Sequence, residues 1–300
     1  MRGRIAAAMG VGMVLIGMTA WPLVAPSVPD GAITVQAGDI SILDGVVFVA
    51  LGLAAGFVGY FAAWPYGADI AVLAAPAGLA LWAVRSGSMA SLLRINMGLT
   101  AEETLAMRQG VFAAMRWEGL LWAAVVAAGF AGVQAAAMLI PAARPVKDEE
   151  IGNVNTRNPL NIATALIAAG VIAHFAVGVF AQDVRMFDGE LGSVVGQPGR
   201  AQIAFAVMVS FGIAAFVAKR VLDVSYVVSA LASCGLAFYG VWLSAKRDVL
   251  EHMIGSWPEA FFSRSVCAVL PIQFVAFGAI GAVIGYWLAI KFAYWRKHGE

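Results

Sequence analysis

Eight apolar runs, most of them about twenty residues long and the third shorter, punctuate this chain, and they decide what it can fold into. A hydrocarbon layer roughly 30 Å thick offers backbone amides no water, so a run that crosses it must close its hydrogen bonds internally, as a helix does. The runs occupy residues 5–25, 45–63, 69–84, 119–140, 160–181, 201–220, 224–243 and 266–292. They predict an all-α fold, a polytopic integral membrane bundle of about eight transmembrane helices. Composition agrees: with 61% hydrophobic and 12% charged residues, the chain cannot be an ordinary soluble domain, a disordered segment or a coiled coil. A net charge of +1 supplies no field for nucleic acid, so the expected partners are the lipid bilayer and other membrane protein subunits.

Arg2 and Arg4 precede the first run, the order found in signal peptides and signal anchors. Leu23 and Pro26 suit no cleavage after Ala25, so the run reads as an uncleaved signal anchor. Eight crossings then return the chain to its starting side. Lys and Arg are denser on that side, and residues 26–44 carry none, which places both termini in the cytoplasm of a bacterial inner membrane. Trp21, Trp64, Trp82, Trp117, Trp122, Trp242 and Trp295 fall at or near run ends, as an interfacial aromatic belt would. The 64–67 stretch, Trp-Pro-Tyr-Gly, predicts a tight helical hairpin, with Pro76 kinking its second arm, and a re-entrant loop is the alternative.

The order of elements suggests two parallel four-helix repeats: residues 1–141, a polar cytoplasmic linker at 142–159, and residues 160–300. At an offset of 157, residues 75–84 align with 232–241, Gly98 with Gly255 and Glu102 with Glu259. Thr100 to Glu103 and Ser256 to Glu259 both read as capping boxes that start helices leading into the next span. Residues 88–97 and 245–254 mix apolar and charged side chains in the manner of helices lying in the interface.

Chemistry has few footholds. Cys234 and Cys267 lie in apolar runs, and His174, His252 and His298 are too scattered for a zinc or haem motif, so no metal and no cofactor are expected beyond bound lipid. No nucleotide fingerprint, P-loop or nucleophile elbow is present. The candidate functional polar residues are four. His174 sits within the fifth run, as a proton carrier, quinone donor or haem ligand, or as a neutral ring bonded to a neighbouring helix. Glu118, beside Trp117, is a partly buried carboxylate of the kind that serves quinones, or a solvated one paired with Arg116. Gln134 and Gln273, with Pro271 able to free a carbonyl, either line a polar pocket or bond between helices. Gly52 and Gly56, and Gly281 and Gly285, sit four apart and open helix faces to close packing, within this chain or against another subunit. The expected function is a membrane-embedded anchor or scaffold subunit of a larger complex, more in keeping with a non-enzyme. The alternatives are a transporter or channel for an apolar or neutral solute and a quinone- or haem-linked redox subunit.

Overall fold

A computed structural model of the chain describes residues 1–36, 40–140 and 159–298. The linker expected at 142–159 falls almost wholly outside the described residues. Seven helices are long and apolar enough to cross a membrane, and the chain is an integral membrane protein built as a helical bundle.

The first apolar run is helical but divided. Helix α1 spans Arg2–Gly12, a π-helical segment follows at Met13–Met18, and a short α2 at Trp21–Val24 ends the run. The wide turn has its cause in the helix at Ala74–Arg85. A β-carbon on Gly12 would stand 1.7 Å from the Ala74 carbonyl oxygen, and Trp82 donates its indole N–H to the Gly17 carbonyl at 3.1 Å. Close packing and a side-chain donor are what loosen a helical ladder at such bulges.

Helix α3, Ile42–Ala62, is started by Ser41, whose hydroxyl accepts from the Asp44 amide while the Asp44 carboxylate accepts from the Ser41 amide. This reciprocal cap sets the helix boundary three residues before the apolar run that announced it. The expected hairpin turns at 63–66 into α4, Gly67–Ile70. A 3₁₀ turn at Ala71–Leu73 precedes α5, Ala74–Arg85, so the irregularity expected at Pro76 lies in the turn just before it, where proline removes an amide donor. Then come α6 (Met89–Ile95), α7 (Ala101–Met115), α8 (Glu118–Leu139), α9 (Pro159–Phe180), α10 (Arg200–Leu222), α11 (Tyr226–Ser244), α12 (Arg247–Ser256) and α13 (Pro271–His298).

Helix α3 packs on α8, and α10 on α13, through glycine. A β-carbon on Gly52 would meet the Val125 carbonyl oxygen at 2.5 Å, and one on Gly56 the Gly129 oxygen at 1.9 Å. Likewise Gly281 meets the Met208 oxygen at 2.2 Å and Gly285 the Gly212 oxygen at 2.0 Å. All four stripe glycines therefore face helices of this same chain. The two contacts are equivalent in position: 52, 56, 125 and 129 each precede 208, 212, 281 and 285 by 156 residues. A second recurrence runs at the offset of 157. Ala8, Gly12, Ile16, Ala20 and Val24 form a buried stripe at every fourth residue, as do Ala165, Ala169, Ala173, Val177 and Ala181.

Trp82 and Trp122 depart from the expected belt, because both are fully buried against Phe48, at ring separations of 5.3 and 6.3 Å. Trp242 and Trp295 are exposed, and Lys246 lies over the first and Lys291 over the second.

On one face of the bundle the connections form an ordered cap. It contains α6, α7, α12 and an antiparallel sheet of order β1-β2-β3, made by Arg185–Asp188, Gly192–Gly196 and Phe261–Phe262. Helix α7 begins as expected, with the Thr100 hydroxyl accepting from the Glu103 amide, although the Glu103 carboxylate takes the Leu99 amide instead of the cap's own. The second expected capping box does not form. Pro258 holds Trp257 extended, so Ser256 ends α12, and Glu259 turns instead to Arg108 at 3.8 Å. Helix α13 starts later than the apolar run implied, at Pro271, with a 3₁₀ turn at Ser265–Ala268 before it. Gln197 stitches the cap together, accepting from the Ala90 amide and donating to the Ala268 carbonyl.

Candidate functional site

Glu118 stands where the cap meets the bundle. Met115 ends α7, Arg116 and Trp117 make the turn, and Glu118 is the first residue of α8, a position at which the helix dipole favours an anion. The segment after α2 crosses over it. Ile33 is fixed there by its amide, which donates to the Ser86 hydroxyl at 2.8 Å, and two residues later the Val35 amide donates to Glu118 Oε1 at 2.6 Å. The carboxyl group is thereby closed in, with 2% of the residue exposed. Its other oxygen, Oε2, is buried and has no hydrogen-bond partner among the described residues. No ion pair joins Glu118 to Arg116 among the described residues, so the paired, solvated carboxylate is not what the fold builds.

A groove of about 470 Å³ opens beside this carboxyl group, between the start of α3 and the start of α8. Its walls are apolar: Val35, Ile40, Val46, Val49, Trp117 and Leu121 line it. Ser41 also lines it, and its hydroxyl is spent on Asp44, donating to the carboxylate at 2.6 Å and accepting from the amide. One turn along α8, the Trp122 indole nitrogen is also buried without a partner among the described residues. A few hundred cubic ångströms of apolar wall with one placed polar group is the usual build of a small-molecule site.

The remaining candidates lie elsewhere. His174 stands six residues before the end of α9, with its ring edge-on to Phe175 and Tyr239. Its Nδ1 is buried without a hydrogen-bond partner among the described residues, so the helix-to-helix bond expected of a packed histidine is not formed among them at that atom. Gln134 is exposed on the outer face of α8. Gln273 is buried at the start of α13, where its side-chain oxygen accepts from the Leu270 amide at 3.0 Å. With Pro271 as the first residue of that helix, no carbonyl is freed and the two glutamines line no common pocket. Among the described residues no hydrogen bond or ion pair joins any two of His174, Glu118, Gln134 and Gln273, and no group of three His, Cys, Asp or Glu side chains could hold a metal ion.

A polar cluster that the sequence reading missed ties the cap's sheet to α12. Asp188 Oδ2 accepts from the Trp257 indole at 2.7 Å and sits 2.8 Å from His252 Nε2, and Glu190 lies 3.0 Å from His252 Nδ1. The Leu191 amide first, then His252 and Trp257, hold the Asp188 carboxyl well below the usual carboxylate range, and the bond to Asp188 raises the His252 imidazole above its ordinary value. The signal was the Asp188-Gly189 pair ahead of Val194-Val195, a hairpin pattern. No protein-family model, no curated protein and no solved structure matches this chain.

Proposed function

We propose that the chain is a membrane-embedded binding protein for an apolar amphiphile, which it holds in the groove between α3 and α8. The observation that carries this reading is the buried Oε2 of Glu118, without a hydrogen-bond partner among the described residues, next to an apolar groove of about 470 Å³. A buried polar atom with no partner costs about 1–3 kcal/mol, a cost that a ligand's hydrogen bond would offset. The site belongs with the solute-handling expectation more than with the scaffold one, because the glycine faces once open to a partner subunit are filled by this chain's own helices. The test is purification in mild detergent followed by extraction and mass analysis of bound lipids. One amphiphile should be retained by the native chain and lost from Val46→Trp, whose indole fills the groove; a native chain that carries none refutes the reading.

A second reading, the scaffold subunit, has its own support in the cap, where Leu99 is fully exposed and Phe187 is 83% exposed. Large apolar side chains held out from an ordered layer suit a protein neighbour. Native mass determination of the extracted assembly separates the two, since a scaffold subunit leaves the membrane with its neighbours. For location we propose a bacterial cytoplasmic membrane with the face opposite the cap inside. That face carries Arg2, Arg4, Lys219, Arg220, Lys291, Arg296 and Lys297, of which Lys219 pairs with Asp223, while on the cap side Arg108, Arg200 and Arg247 pair with Glu259, Asp30 and Glu251.

A further inference from the structure

We infer that the ends of α10 and α13 opposite the cap form a docking surface for the headgroup of an anionic phospholipid, with Arg220, Lys291 and Arg296 as its cations. The inference stands apart from the groove reading, since none of these residues lines the groove. Three observations carry it.

The first is unbalanced charge gathered in one place. Neither α10 nor α13 contains an Asp or Glu, yet their last two turns hold Lys219, Arg220, Lys291, Arg296 and Lys297. Asp223, the residue after α10, pairs with Lys219. Among the described residues no carboxylate pairs with Arg220, Lys291 or Arg296, whereas on the cap side Arg108, Arg200 and Arg247 each have one. An uncompensated set of cations calls for an anion from outside the chain.

The second is the height at which these cations stand. At about 1.5 Å per residue, the 28 residues of α13 run about 42 Å, well beyond a hydrocarbon core of roughly 30 Å. The excess falls at the end away from the cap, where residues 291–297 are all exposed. Those turns therefore reach the headgroup layer, where lipid phosphates lie. Aromatic rings hold the cations there: Arg220 lies over Phe292 at 5.4 Å and Lys291 over Trp295 at 4.6 Å. Phe292 and Arg296, four residues apart, share a helix face, so Arg220 and Arg296 flank one ring. Exposed Phe292 and Trp295 between the cations suit the boundary between a lipid's phosphate and its chains, and would be of no use to a water-soluble acidic partner.

The third is the contrast between the two halves. The spacing of 156 that relates Gly56 to Gly212 and Gly129 to Gly285 relates Ala63, Trp64, Ala135 and Ile140 to Lys219, Arg220, Lys291 and Arg296. Helix C-termini favour positive charge, yet α3 and α8 end without it at every one of these positions. Neither the glycine crossing nor the helix ends require the cations. The first half's own basic residues on this face, Arg2 and Arg4, sit on α1, with Arg4 over Tyr66.

The experiment uses the full chain, freed of lipid in dodecyl maltoside and offered dioleoyl phosphatidylglycerol and dioleoyl phosphatidylcholine at equal mole fraction. Bound lipid is counted by native mass spectrometry. Phosphatidylglycerol should be preferred, and R220Q, K291Q and R296Q should each lower that preference about fivefold, the effect of about 1 kcal/mol per cation near an anionic surface. The triple variant should bind the two lipids alike, with an unchanged unfolding temperature in the absence of lipid. If it fails to fold, K291Q/R296Q, changed only at exposed positions, takes its place. Arg220→Lys, which keeps the charge, should keep the preference, and so should R2Q/R4Q, which alters α1 alone. Equal binding of the two lipids by the native chain, an unchanged preference in the multiple variants, or an equal loss in R2Q/R4Q overturns the inference. Displacement of bound phosphatidylglycerol by millimolar inorganic phosphate would make the surface a site for a free anion, and tighter binding of an oligoglutamate peptide than of phosphatidylglycerol would make it a protein-docking surface; either result overturns it too.

Discussion

Replacing Gly56 by alanine adds one carbon atom, and the structure says where that atom must go. It would sit 1.9 Å from the Gly129 carbonyl oxygen, 2.8 Å from its carbon and 3.1 Å from its Cα. Ordinary contact begins near 3.4 Å, so α3 and α8 must part by about 1.5 Å at the crossing. The obstruction is backbone on both sides, and no rotamer change relieves it. A gap of 0.5–1 Å already forfeits a quarter to a half of each dispersion contact, so the loss spreads to the pairs stacked above and below, Gly52 on Val125 and Gly132 on Leu53. The expected destabilisation is about 3 kcal/mol, the upper part of the range for overpacked sites. Thermal unfolding in detergent, followed by tryptophan fluorescence, reads it. Gly178→Ala is the control, since a β-carbon there meets nothing within 4 Å. Equal unfolding temperatures for Gly56→Ala and Gly178→Ala would refute the idea that backbone contact fixes this helix pair.

Three further outcomes are expected. The Asp188–His252 latch strengthens stability between the carboxylate and imidazole ranges. The raised His252 value gives a contribution fully present below its ordinary value of 6.5 and lost as pH rises through the folded value, and the lowered Asp188 value gives one present above 3.8 and lost as pH falls through the folded value. Hydrogen exchange of residues 185–196 should therefore speed up towards alkaline and strongly acidic pH, and His252→Ala should abolish the alkaline limb. His174→Phe should leave stability unchanged or raise it by up to about 1 kcal/mol, because the ring contact with Tyr239 survives and a buried nitrogen without a partner disappears; a clear loss in unfolding temperature would show that the nitrogen is engaged. Cysteines placed at Leu99 and Gly3, both exposed, should react with an impermeant thiol reagent from opposite sides of the membrane, Leu99→Cys from outside intact cells. Same-side reaction would break the assigned crossings.

The apolar runs made most of the bundle legible, since the demand for internal hydrogen bonds depends on residues adjacent in sequence. Helices α8 and α9 each begin and end one residue from the run that announced them. What escaped depends on distant contacts. The π segment after Gly12 answers to Ala74 and Trp82, sixty or more positions away. Ser256 to Glu259 had the letters of a capping box, but Pro258 dictates the conformation of Trp257 and cancels it. Trp82 and Trp122 matched a belt by position, yet helix α3 brings Phe48 to cover them. For the site, sequence supplied the identity of Glu118 and its place at a span boundary. Its burial comes from Val35, 83 positions earlier, whose crossing no local pattern announces. The glycine pairs showed which faces are narrow, and only the fold shows that the narrow faces meet one another inside the chain.

That meeting has a consequence for how the sequence selects one arrangement of its helices. Within a membrane, one Leu- or Val-rich face slides past another at small cost, because lipid is as apolar as the protein surface it replaces. The crossing at Gly56 and Gly129 removes that freedom: a shift of α3 by a single residue would bring Phe57 or Ala55 against a carbonyl that tolerates no β-carbon. The crossing at Gly212 and Gly285 is a second fixed point of the same kind. These notches act as register pins. They leave the surrounding apolar side chains free to vary in identity while α3 stays aligned with α8 and α10 with α13.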